Sequence, residues 1–185
     1  MMRNVPNIMT ISRILASFAV PFLIMWDHPT VRLAAVVLFA VAAITDWLDG
    51  YLARKLEAVS NIGRMLDPIA DKLLVAGALL ALAATEKWGW MMLVPALMIL
   101  MREVFISGLR EFMANHTMVI HVTFLAKIKT TIQLFAIGFV MSTPLTPTSW
   151  HIADISLLLM WVAGILTAIT GWDYFKKALA HDLNS

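Results

Sequence analysis

An all-α integral membrane protein with six transmembrane helices and both termini in the cytoplasm is the architecture this sequence predicts. Three observations lead there. Of 185 residues, 61% are hydrophobic and 14% charged, against about one half and about one quarter in a soluble domain. The apolar residues gather into six runs close to the roughly 17–25 residues that a spanning helix needs. The basic residues lie almost wholly on one side of the alternating connections that six spans create. A single membrane domain over residues 1–185 is the expectation at this length.

The first run, Ile8 to Trp26, begins in the polar stretch MMRNVPNIMTISR. Arg13 interrupts any short apolar core and no small-residue cleavage site follows, so the segment reads as retained rather than removed. Asp27-His28-Pro29 is a turn-rich break before the second run, Val31 to Arg54. The third, Leu66 to Ala84, is placed so that Pro68 falls in a first helical turn, where proline costs little. The fourth covers Trp88 to Leu109 and the fifth Phe124 to Met141. Thr143-Pro144-Leu145-Thr146-Pro147 marks another break, and the sixth run spans Ile152 to Tyr174. Trp88, Trp90, Trp150, Trp172 and Tyr174 fall near proposed ends, at the headgroup depth that amphipathic rings favour. No linker, low-complexity tract or short-period repeat interrupts the pattern.

Orientation follows from the cations. Six spans put Arg3, Arg13, Arg54, Lys55, Arg64, Lys72, Arg102, Arg110, Lys127, Lys129, Lys176 and Lys177 on one side, and Arg32 and Lys87 on the other. Twelve against two makes the first side cytoplasmic. Some of the twelve lie inside helix ends and are site candidates as well as anchors. A formal net charge of +2 gives no reason to expect a nucleic-acid partner. With no cysteine, disulfides, thiol nucleophiles and thiolate metal sites are excluded. His28, His116, His121, His151 and His181 lack ligand spacing and read as solvated or interfacial. The methionines read as core or lipid-facing filler.

The informative stretch runs from Asp46 to Asp71. Asp46 and Asp49 are three apart, Asp67 and Asp71 four apart, so each pair shares a helix face. A short loop joins their helices, and folding that hairpin gathers four carboxylates at one cytoplasmic edge. Carboxylates at membrane depth are costly without partners, and four together repel unless a cation neutralises them. Hard oxygen donors suit Mg²⁺, Mn²⁺ or Ca²⁺, and two such ions suit a pyrophosphate. Gly50 and Ala53 lie on or beside the Asp46–Asp49 face, where missing bulk lets a nucleotide approach the backbone. The competing interpretation is a proton or cation pathway, which also uses paired intramembrane aspartates.

The string D-x2-D-G-x2-A-R-x8-G-x3-D-x3-D resembles the signature of the CDP-alcohol phosphatidyltransferase family. Asp46, Asp49, Gly50, Ala53, Arg54, Gly63, Asp67 and Asp71 fill every specified position. The resemblance implies six transmembrane helices, a cytosol-facing polar cavity, two divalent ions (Mg²⁺ or Mn²⁺) held by the four aspartates, and often a homodimer. It assigns Gly50, Ala53, Arg54 and Gly63 to the CDP-lipid, and makes Asp71 the general base toward an acceptor hydroxyl. It also places the chain in a bacterial inner membrane.

Further blocks resemble the family members that use CDP-diacylglycerol and glycerol 3-phosphate. They are Asn7-Ile-Met-Thr10-Ile-Ser-Arg13, Thr45-Asp-Trp-Leu-Asp-Gly, Leu66-Asp-Pro-Ile-Ala-Asp-Lys72, Arg102-Glu103, Leu109-Arg110-Glu111-Phe112 and Ala126-Lys127-Ile-Lys129-Thr130-Thr-Ile-Gln133. An anionic acceptor suits the cations. Arg102 and Arg110, eight apart, share a face of the fourth helix. Lys127 and Lys129 open the fifth, whose N-terminus already favours anions. Arg110 and Lys127 lead as acceptor-phosphate ligands, with Lys129 and Arg102 behind them. The plain alternative is anchoring by cations that snorkel to the headgroups. Glu103 is expected to pair with Arg110 across two turns. Two other functions stay open: a sister enzyme whose acceptor is inositol phosphate or serine, and a small ion or proton transporter. Transporters often show repeats and helices broken at mid-span, whereas these acids gather at one edge.

Overall fold

The computed structural model describes residues 5–56, 61–86, 89–115 and 124–182, with side chains described except at 5–9, 46–56, 61–65, 67–68, 114–115, 124, 126–127 and 181–182. Six α-helices follow one another: α1 Val5–Met25, α2 Pro29–Leu56, α3 Asn61–Thr85, α4 Trp90–Asn115, α5 Phe124–Ser142 and α6 Ile152–Asp182. Two short 3₁₀ turns, Thr143–Leu145 and Thr148–Trp150, occupy the proline-rich break before α6. The described residues are all-helical, in the expected order. Trp90–Met113, Ile128–Leu145 and Ile152–Ala180 are long and apolar enough to cross a membrane, and Thr10–Met25 and Pro29–Thr45 are shorter apolar segments.

Three boundaries differ by about five residues or more from those expected. α3 begins at Asn61 rather than near Leu66, so position 68 lies in its second turn rather than its first. The fixed φ of proline is helical, so the helix can pass through Pro68 at the cost of one backbone hydrogen bond. α4 continues beyond Leu109 to Asn115, and α6 beyond Tyr174 to Asp182. Hydrocarbon thickness limits the apolar run but does not stop the helix, whose backbone bonds are satisfied internally at any depth.

The chain divides into two compact units, residues 1–87 with 137–153 and residues 88–136 with 154–185. In the first, α1 packs chiefly on α3 and also on α2. The pattern of α1 is inside out. Thr10, Arg13, Ser17, Val20 and Ile24 are buried, while Ile11, Leu15, Phe18, Phe22 and Met25 are exposed. Both sets repeat at helical spacing, and the buried one carries the polar groups. A helix that turns apolar side chains outward and an arginine inward has lipid as its solvent.

Gly77 sets how closely α1 and α3 approach. A Cβ there would lie 2.7 Å from Cγ of Pro21 and 3.3 Å from the carbonyl oxygen of Ser17. A proline ring and a backbone cannot swing aside. Gly77→Ala is therefore expected to destabilise by about 1–3 kcal/mol through overpacking, read as a lower thermal midpoint in detergent. Gly138→Ala, where a Cβ meets nothing within 4 Å, is the control and should lose nothing. Equal tolerance at both sites would remove Gly77 from this role. At the far end of α3, Glu86 accepts a hydrogen bond and ion pair from Arg32 near the start of α2.

In the second unit, α6 glycines admit α4. A Cβ on Gly164 would lie 3.1 Å from Cβ of Pro95, and one on Gly171 would lie 2.9 Å from Cγ of Arg102. Both helices advance seven residues between these contacts, so they run parallel along one face. Phe105 and Phe175 meet edge to face, with ring centroids 5.5 Å apart.

Candidate active site

The backbone is helical through both acidic pairs: positions 46 and 49 lie in the last three turns of α2, and 67 and 71 in the first three turns of α3. The i, i+3 and i, i+4 spacings therefore act on real helices, joined across residues 57–60. The side chains of Asp46, Asp49, Ala53, Arg54 and Asp67, and positions Gly50 and Gly63, lie outside the described side chains. Asp71 is described. Its side chain is 45% exposed, and one of its oxygens stands 3.5 Å from Nη1 of Arg13, itself 1% exposed.

Three local features bring Arg13 to Asp71. Arg13 belongs to the buried stripe of α1, one turn from Thr10 and one from Ser17. The Ser17 hydroxyl donates to the Ile14 carbonyl at 2.7 Å, closing its own polar group within the helix. The close approach at Gly77 then fixes the parallel register, because Asp71 precedes Gly77 much as Arg13 precedes Ser17 and Pro21. In the sequence Arg13 is a break in the first apolar run, a topology charge and part of a resemblance block, none of which points to Asp71. The signal that marks it is the Thr10, Arg13, Ser17 spacing inside an apolar run.

The cations of the second unit fall into two arrangements. Glu103 accepts hydrogen bonds from Nη1 of Arg102 at 3.0 Å and from Nζ of Lys129. Lys129 is buried, and the shared carboxylate leaves this cluster with one net positive charge. The expected Glu103–Arg110 pair is thus replaced. Glu103 is taken by its neighbour Arg102 and by Lys129 from α5, a contact across 26 residues that helix spacing does not show. Arg110 is exposed and lies over the Tyr174 ring, 5.4 Å from its centroid. Lys127 sits in the first turn of α5, and its side chain is outside the described set.

Chemically, the aspartates of the signature, on two consecutive helices, carry hard oxygen donors of the kind that divalent cations take. Asp71 adds a half-exposed carboxylate able to take a proton. Arg110 offers exposed guanidinium donors beside the Tyr174 ring.

Comparison with known proteins agrees with this chemistry. Residues 3–169 match the family described as CDP-alcohol phosphatidyltransferase. The chain is 40% identical to a protein of Rickettsia bellii, over 94% of each chain. It is 37% identical to one of Cereibacter sphaeroides over 96% of each, and 38% identical to one of Bacillus subtilis over 95% of each. All three relatives are named CDP-diacylglycerol–glycerol-3-phosphate 3-phosphatidyltransferase. With nearly its whole length matched and every signature position filled, this chain belongs to the CDP-alcohol phosphatidyltransferase family.

Proposed function

We propose that the protein is a phosphatidylglycerophosphate synthase, transferring the phosphatidyl group from CDP-diacylglycerol to glycerol 3-phosphate with release of CMP. The observation that carries this is the shared name of relatives aligned over at least 94% of the chain. Nothing observed favours inositol phosphate or serine as acceptor, or transport.

In this reading Asp46, Asp49, Asp67 and Asp71 hold two divalent ions, Mg²⁺ or Mn²⁺. When bound, the ions neutralise the carboxylates and the pyrophosphate charge that builds as CMP departs. Gly50, Ala53, Arg54 and Gly63 receive the cytidine and phosphates of the lipid nucleotide. Asp71 accepts the proton of the acceptor hydroxyl. That oxygen forms a bond to the phosphorus carrying the diacylglycerol, the bond from this phosphorus to CMP breaks, and CMP leaves with the electron pair.

Arg110 and Lys127 hold the acceptor phosphate. An exposed guanidinium whose neighbour is a ring rather than a carboxylate keeps its donors for a bidentate phosphate contact. Lys129 and Arg102 add positive charge, kept in place by Glu103. Orientation rests on the cation asymmetry: six spans, both termini in the cytoplasm of a bacterium, and the site at the cytoplasmic side of the inner membrane; a homodimer rests on the family resemblance alone.

The test is an acceptor screen on purified protein with CDP-diacylglycerol and Mg²⁺, reading CMP release. Glycerol 3-phosphate is expected to support turnover, with inositol phosphate and serine near background. Release with another alcohol and none with glycerol 3-phosphate would replace this acceptor.

A further inference from the structure

We infer that Arg13 is a positioning residue for the transfer, holding the Asp71 carboxylate in the orientation in which it receives the acceptor proton. The inference rests on the proposed role of Asp71 as base and adds the group that acts through it.

The two partners are unequally placed. Asp71 has a side chain 45% exposed, whereas Arg13 is 1% exposed. A half-exposed carboxylate on a helix has several accessible rotamers, and solvent alone does not choose among them. The guanidinium has no such freedom, because Arg13 is buried one turn before Ser17, where α1 closes on Gly77 of α3. At 3.5 Å the contact is an ion pair rather than a short hydrogen bond, so it orients by charge.

A purely structural role explains less. Anchoring α1 to α3 does not need a charge, because Val20, Ile24, Leu74, Ala78 and Leu82 already fill apolar burial on these helices. A buried guanidinium is expensive unless its partner is worth keeping. An arginine beside a metal-binding acidic cluster also repels the cations that cluster must collect. Its retention at the one carboxylate assigned to proton transfer is explained if it positions that group. The sign matters for the test: removing Arg13 should leave cation binding unweakened, since a positive charge has gone.

Full-length protein in detergent would be prepared as Arg13→Gln, Arg13→Ala and Arg13→Lys, beside Asp71→Asn. In the Gln and Ala variants kcat is expected to fall about 10- to 100-fold, the scale of loss from a misplaced catalytic group. Both KM values should stay within about threefold, below half a tenfold step in free energy. Mn²⁺ alone, followed by its electron paramagnetic resonance signal, should bind as tightly as to wild type or more tightly. Arg13→Lys should recover part of kcat, since it restores the charge without the fork. Wild-type kcat in folded Arg13→Gln overturns the inference, as does weakened Mn²⁺ binding with both KM values raised, which marks a structural role. If Gln and Ala give no folded protein, Arg13→Lys decides, and unaltered kcat there overturns it. Asp71→Asn separates the two levels. Turnover retained in that variant removes Asp71 as base, whereas a dead Asp71→Asn beside an active Arg13→Gln removes Arg13 alone.

Discussion

Excess EDTA is expected to stop CMP release altogether, and Asp46→Ala, Asp49→Ala and Asp67→Ala should each do the same with metal present. In the proposed site four carboxylates repel one another, and the substrate brings a further pyrophosphate charge. Arg13 meets one of the four carboxylates, and the rest of that charge calls for metal cations. A metal acting on a phosphoryl oxygen contributes several kcal/mol of transition-state stabilisation. Loss of about 4 kcal/mol is about a thousandfold in rate, so the variants should fall to background in a CMP-release assay. The proteins should remain extractable and show a wild-type thermal midpoint or a higher one, because removing one of four like charges relieves repulsion. Mg²⁺ or Mn²⁺ should restore the EDTA-treated wild type. Undiminished release in excess chelator would sink the metal proposal, and near wild-type turnover in one variant would remove that aspartate as a ligand.

The order and type of the helices were legible because lipid as a solvent simplifies the code. Long apolar runs mean helices, and breaks such as Asp27-His28-Pro29 and Thr143–Pro147 stand between them. Helix ends were less legible. Asn61 to Arg64 and Lys176 to Asp182 bring in polar and charged residues, yet α3 and α6 include them. Hydropathy reports where the solvent changes, and hydrogen bonding within the helix does not stop there. Pro68 misled for a related reason: a preference for first turns is a preference, and the helix passes through it from Asn61.

Placement along the helices was legible in proportion to locality. The signature from Asp46 to Asp71 spans two consecutive helices, so spacing alone places each aspartate pair on a helix face. Contacts between distant segments left no such trace. Arg13 and Asp71 are brought together by parallel packing of α1 and α3, and Glu103 and Lys129 by the pairing of α4 with α5. Within-helix spacing suggested Glu103 with Arg110, but Lys129 and Arg102 claim the carboxylate. That exchange leaves Arg110 on Tyr174, which sharpens its proposed role in acceptor choice.

Glycerol 3-phosphate differs from serine and free inositol by its phosphate, so its recognition should depend on cations not already neutralised. Lys129 and Arg102 share Glu103, whereas Arg110 faces a ring that leaves its charge intact. Lys127 stands in the first turn of α5, where unpaired amides add to the attraction for an anion. Hydrogen bonds to charged groups contribute about 1.5–3 kcal/mol each. Arg110→Ala and Lys127→Ala should therefore raise the KM for glycerol 3-phosphate by about tenfold to a hundredfold, with that for CDP-diacylglycerol moving much less. Arg110→Lys should rescue in part, since an ammonium lacks the bidentate fork. Tyr174→Leu removes an exposed cation–π contact of about 0.5–1 kcal/mol, and should raise the same KM by about two- to fivefold. Steady-state kinetics with each substrate varied in turn would read all four. If the alanine variants weakened the lipid nucleotide and spared glycerol 3-phosphate, Arg110 and Lys127 would belong to the donor pocket instead.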